Sequence, residues 1–261
     1  MLEIYEKIRS KHRADMIRQH LSKLQSYNEV YLMQYIDALE LSPSSKYVLS
    51  RALSDYLYTF SKMTKEQAER LRSSFRYMRN DWSKQVVSDE QIDYLISIIE
   101  KQRGEHIRLR NKLALAIMLT TGCRVGELLN MKVNDIHIDT EKELVTITLI
   151  NSKSGGTKLY YIKATHSINN LNILTLYSEY INKRTANSEY LFANDKGQRI
   201  TKENIEALFR KADMHPHQIR HTAITNRLKD YDIYEAAKFA GHKSLATTQR
   251  YIQREYINRI E

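Results

Sequence analysis

A chain of 261 residues with 42% hydrophobic content is long enough to bury one large core or two modest ones, which excludes a disordered polypeptide. Its 41 Lys and Arg against 31 Asp and Glu give a formal charge of +10, which favours a polyanionic partner. A single cysteine, Cys123, excludes an intramolecular disulfide and a cysteine-based zinc site. The charged start MLEIYEKIRSKHR has no signal-peptide core, and the longest apolar run, LALAIML at 113–119, is too short to span a bilayer. These features predict a soluble cytoplasmic protein with no membrane partner.

The predicted elements begin as helices. Leu2, Ile4 and Ile8, then Met16, Ile17, Leu21 and Leu24, recur at helical spacing. A second helical segment, NEVYLMQYIDALE, follows a polar break at 25–28. The third opens with Ser42 as a cap and Pro43 in the first turn, then runs through Leu49, Leu53, Tyr56, Leu57 and Phe60. The fourth starts at Thr64, with Gln67 three residues on as a capping-box signal. NDWSKQVVSDEQ, from 80 to 91, reads as a linker that ends in a second such signal, Ser88 and Gln91. Helices follow at 89–102, 106–120 and 126–131. The period then changes to two: DIHID, ELVTITLI and TKLYYIKA predict three short strands, with NSKSGG turning between the last two. Helical pattern resumes at 166–183, 202–213, 216–229, 232–240 and 245–257. The predicted fold is mainly α with a small antiparallel β-sheet, in two domains at 1–84 and 85–261. Residues 1–84 carry 15 Lys and Arg against 10 Asp and Glu, and the rest 26 against 21. Both parts are therefore suited to face one polyanion.

Four short stretches carry the chemistry. In TGCRVGELLNM, Arg124 follows a small-residue turn and opens a helix, where Glu127 at i+3 can hold its guanidinium. An ordinary surface ion pair is the plainer alternative. In HPHQIRHT, His217 and Arg220 share one face of a helix that Pro216 helps to start. His215, His217 and His221 have a spacing that zinc can use, but no Cys or carboxylate completes the set and Arg220 would intrude a positive charge. An arginine beside a histidine suits a phosphate better. GHKSLATTQRY supplies His242 and, nine residues on, Tyr251. Lys153 lies in the hairpin turn, where on its own it would be a solvated lysine.

In order, Arg124, Lys153, His217, Arg220, His242 and Tyr251 form a set that resembles the tyrosine recombinase (phage integrase) family, with its Xer-like and Cre-like site-specific recombinases. The resemblance covers about 88–256 and rests on TGCRVGELL, on H-x-x-R-H at 217–221, and on Gly-His followed nine residues later by Tyr. Ala240 stands before Gly-His where many family members have leucine. The resemblance implies a helical DNA core-binding domain at 1–84 and a catalytic domain at 85–261. It implies double-stranded DNA as partner, a homotetramer on paired sites, and no cofactor, metal or ATP. Tyr251 becomes the nucleophile of a 3′-phosphotyrosyl intermediate. Because a phenol with a pKa of about 10 is a poor nucleophile and a phosphodiester repels it, helpers are needed. Arg124 and Arg220 neutralise the non-bridging oxygens, His242 adds a hydrogen bond, and His217 takes the tyrosine proton or assists the clamp. Lys153 protonates the departing 5′ oxygen, while Lys158, nearby on the same hairpin, is expected to add only DNA affinity. A type IB-like topoisomerase or telomere resolvase would use similar groups. A DNA-binding protein that merely keeps the fold would be expected to lack one of the six, and all six are present.

Overall fold

The computed structural model describes residues 11–75, 86–150, 156–185, 187–242, 244–245 and 247–249. The chain forms two units, Met1–Asn80 and Asp81–Glu261. The positions of Leu2, Ile4 and Ile8, and those of the last predicted helix from 250 on, lie outside the described residues.

Three helices of the first unit start where a side chain accepts an otherwise unpaired amide. The unit holds α1 (Lys11–Leu21), α2 (Glu29–Asp37), α3 (Pro43–Thr59) and α4 (Lys65–Ser74). Ser42 Oγ accepts from the Ser45 amide at 3.2 Å, with Pro43 in the first turn. Thr64 and Gln67 close a reciprocal capping box at 3.3 and 2.8 Å. Leu32, Ile36, Leu49, Leu53, Leu57 and Leu71 then meet in one apolar core. Each fully buried side chain of this kind stabilises the fold by about 1.5–3 kcal/mol.

The second unit is built on a helix with no polar face in its middle. Ser88 and Gln91 cap α5 (Asp89–Glu100), and α6 (Glu105–Thr121) follows, buried continuously from Leu113 to Leu119. A short helix, α7 (Val125–Leu129), leads to three strands: β1 (Ile136–Asp139), β2 (Leu144–Ile150) and β3 (Thr157–Lys163). These pair antiparallel in the order β1-β2-β3, with Ile147 opposite both Ile136 and Tyr160. Alternation sends Val145, Ile147 and Leu149 of β2 into the core.

One predicted helix is shorter than its pattern suggests. Residues 167–172 form a small ladder, β4 (Ser167–Ile168) with β5 (Leu171–Asn172), and α8 covers only Ile173–Lys183. Asn169 and Asn170 adopt φ of +46° and +60°, which asparagine tolerates and which a two-residue hairpin turn demands. Asn172 then caps α8 by accepting from the Thr175 amide at 2.9 Å. Three further helices complete the described part: α9 (Lys202–Arg210), α10 (Pro216–Asp230) and α11 (Ile233–Ala240). α6 packs against α5, α8 and α10, so it is the hub that carries the site described next.

Candidate active site

Gly122 ends α6 in a left-handed conformation, φ +60°, and a Cβ there would press on Phe239 and Ala223. That turn delivers Arg124 to the N-terminal edge of α7. The Arg124 amide donates to Glu127 Oε2 and its Nη1 to Oε1, both at 2.9 Å. The Glu127 side chain is 0% exposed while that of Arg124 is 32% exposed. This is a buried carboxylate holding a half-open guanidinium, not a surface ion pair.

Arg220 comes from the second turn of α10, whose start is fixed by Pro216 and by His215 Nδ1 accepting from the His217 amide at 3.2 Å. It is only 2% exposed. Its Nη1 donates to the Gly122 carbonyl, and its Nη2 donates to the Ala240 carbonyl at 2.8 Å and reaches His242 Nε2 at 3.3 Å. One side chain thus ties the end of α6 to the end of α11. Arginine has no acceptor, so His242 Nε2 receives that hydrogen, and Nδ1 carries the ring proton towards Thr248 Oγ1 at 2.9 Å. Burial, then the positive field of Arg220, Arg124, Lys158 and His217, lowers the His242 pKa to about 4. The ring is therefore neutral at neutral pH.

His217 is exposed on the same first turn and close enough to add to that field. His221 instead turns into the core, where its Nδ1 meets Thr225 Oγ1 at 3.4 Å. Among the described residues no group of three or more His, Cys, Asp or Glu is placed to hold a metal. Cys123, between Gly122 and Arg124, is buried, and burial pushes its thiol up to about 11. It is therefore a packed thiol and not a nucleophile.

Arg124, Arg220 and His242 converge, with His217 at their margin. Lys153 and Tyr251 lie outside the described residues. Lys158 adjoins Arg124, Arg220 and His242: its side chain is 14% exposed, its Nζ donates to the Ala240 carbonyl at 3.1 Å, and Glu127 Oε1 lies 4.0 Å away. The sequence predicts for this residue only a contribution to DNA affinity, and the structure adds that its side chain is largely buried. The signal was there in the period-two pattern of TKLYYIKA, which puts Lys158 on the inward face with Tyr160 and Ile162.

The sequence pattern of the phage integrase family matches residues 85–257. The chain belongs to the phage integrase family. Its catalysis is accordingly of the tyrosine recombinase type. Among its relatives, tyrosine recombinase XerC of Staphylococcus epidermidis is 26% identical over 247 residues, covering 90% of this chain and 79% of the relative. Tyrosine recombinase XerA of Pyrococcus furiosus is 31% identical over 196 residues, covering 71% of this chain and 62% of the relative. Among solved structures, the Tn1549 transposon integrase in complex with circular intermediate DNA superposes with a TM-score of 0.69 at 18% identity, covering 95% of this chain and 92% of that one. The XerH recombinase bound to difH substrate gives 0.64 at 22% identity, covering 92% and 73%. These superpositions establish the integrase fold: mainly helical, with a small antiparallel sheet.

Proposed function

We propose that this integrase is a site-specific recombinase that cleaves and rejoins double-stranded DNA through a 3′-phosphotyrosyl intermediate, with Tyr251 as nucleophile. One observation carries the reading. Arg220 is anchored by two backbone carbonyls with its Nη2 against His242, while Arg124, raised from the adjoining turn, is held by Glu127. Preorganised cations suit a phosphodiester whose non-bridging oxygens gain charge as the tyrosine attacks, and His242 can add a hydrogen bond to them when its ring takes up a second proton.

In the proposed reaction the Tyr251 oxygen bonds to phosphorus as the bond to the 5′ oxygen breaks. The phenol proton passes to His217, and Lys153 gives a proton to the departing oxygen, leaving a 5′-hydroxyl. The reverse step joins a 5′-hydroxyl from a partner strand. Bond energy is kept in the phosphotyrosyl link, so ligation needs no ATP, and Arg124, Arg220 and Lys153 supply the positive charge that a metal would otherwise bring. Unit Met1–Asn80 serves as the core-binding domain, and four protomers act on two paired sites.

The test is covalent capture on site-bearing duplex DNA, read on a denaturing gel. The parent chain attaches to DNA, and so does Tyr256→Phe, which removes the other tyrosine among residues 249–256; Tyr251→Phe binds without attaching. Attachment by Tyr251→Phe at the parental level would remove the assignment. Sedimentation of the Tyr251→Phe complex checks the stoichiometry: one protomer per site that never pairs would count against strand exchange.

A further inference from the structure

A lysine beside a hairpin turn ordinarily lays its stem along the surface and keeps its ammonium in water. Lys158 does the opposite. Its stem crosses Gly241 where a side chain would otherwise stand: a Cβ built there would collide with Lys158 Cε and Nζ. The ammonium reaches the Ala240 carbonyl, the same oxygen that accepts from Arg220. Two residues along β3, the Tyr160 hydroxyl donates to the Phe239 carbonyl at 2.8 Å, and the Tyr160 and Phe239 rings meet edge-to-face at 5.6 Å.

Phe239 and Ala240 are the last residues of α11, and carbonyls at such an end have no partner within the helix. Two earlier ones are closed by the chain itself, Gly241 N to Lys238 O and His242 N to Ala237 O. The final two are taken by β3 and Arg220. Two cations also face the negative end of the helix dipole. His242 stands two residues beyond, so whatever fixes this helix end fixes the imidazole and the oxygen against which Arg220 is set.

We infer that Lys158 and Tyr160 form a clasp on the C-terminal end of α11, with Lys158 a positioning residue that sets His242 and Arg220 for DNA cleavage. The role is distinct from protonating the leaving oxygen, and the inference rests on the function proposed above. Burial lowers the Lys158 pKa and the cations Arg220 and Arg124 reinforce this, while Glu127 opposes it. The geometry, not the pKa, carries the inference: Nζ donates to the Ala240 carbonyl at 3.1 Å, with Glu127 Oε1 4.0 Å away.

Single-turnover cleavage by the full chain tests this on ordinary DNA and on DNA with sulfur at the 5′ bridging position, which departs without a proton. Lys158→Met keeps the stem and removes the ammonium. It should cleave both substrates slower by about 10²-fold, the loss expected of a small misplacement. The ratio between substrates should stay parental, whereas Lys153→Ala should recover on sulfur. Lys158→Gln, which keeps a donor, should regain part of the rate. Tyr160→Phe removes one hydroxyl and should give a smaller loss. Adding it to Lys158→Met should cost less than the product of the two separate losses, because both side chains hold one helix end. In NMR titrations the His242 ring of Lys158→Met should take its proton at higher pH than the parent's.

Recovery of Lys158→Met on sulfur would make it the proton donor and overturn the inference. Parental cleavage by Lys158→Met, independent losses, or an unmoved His242 titration would each overturn it too. A parent chain that never attaches to DNA would overturn the proposed function and this assignment together, so the two failures are told apart.

Discussion

In the described helices of the first unit, ion pairs sit at the rim of an apolar core, whereas the larger unit buries a carboxylate and a guanidinium beside its central helix. Arg70 reaches Glu29 at 2.8 and 3.0 Å, yet the Arg70 side chain is 60% exposed. The buried polar side chains there are His20, Ser50 and Ser54, with no full charge among the described residues. In the second unit Glu127 and Arg220 are 1% and 2% exposed. Burying charge costs several kcal/mol per ion before partners offset it, and apolar replacements are often as stable. Stability alone would not produce such a cluster. In the second unit the buried charges instead fit the phosphate-binding role proposed for them.

The comparison breaks most visibly at Glu127. Glu127→Ala leaves Arg124 and Lys158 without their carboxylate, and chemical denaturation should show a loss of about 3–5 kcal/mol in the second unit. Glu127→Gln still offers an acceptor to Arg124 and should lose less. In the first unit, Leu53→Ala opens a hole in a purely apolar core and should cost about 2–5 kcal/mol. The His242 titration, followed by NMR, should not change in that variant. Arg70→Ala, at the exposed pair, should barely move the unfolding midpoint. If Arg70→Ala matched Glu127→Ala, the contrast between rim and buried charge would be wrong.

The second unit also carries a pH dependence that the first pair of variants does not test. The folded His242 pKa of about 4 lies below the ordinary value of about 6.5, so the unfolded chain binds more protons between these limits. Stability should therefore fall as pH drops from about 6.5 to about 4. His242→Gln should flatten that slope in thermal melts collected across the window. Arg220, Arg124, Lys158 and His217 face the ring, and none of them needs to titrate for the effect to appear.

Much of this was legible in the sequence because it depends on local rules. Ser42, Thr64 and Ser88 mark helix starts through side-chain oxygens that bond within three residues, and strand alternation placed β2. The turn at Asn169 and Asn170 was hidden by a helical spacing of apolar residues that continues straight through it. Arg124, Arg220 and His242 could be listed together by their order, but not the links between them. Arg220 reaches the Gly122 carbonyl across 98 positions, and Lys158 reaches Ala240 across 82. Backbone carbonyls are identical in every residue, so no sequence pattern announces which of them will receive a distant cation.

In the proposed function the buried cluster is a cradle for a DNA phosphate. The most direct measurement is the His242 titration by NMR in Tyr251→Phe, free and bound to site-bearing duplex DNA, with His242→Gln to assign the signal. A phosphodiester against Arg220 and His242 favours the protonated ring, so the pKa should rise from about 4 by at least about one pH unit on binding. A titration that stays at its free value while the DNA is bound would contradict the account.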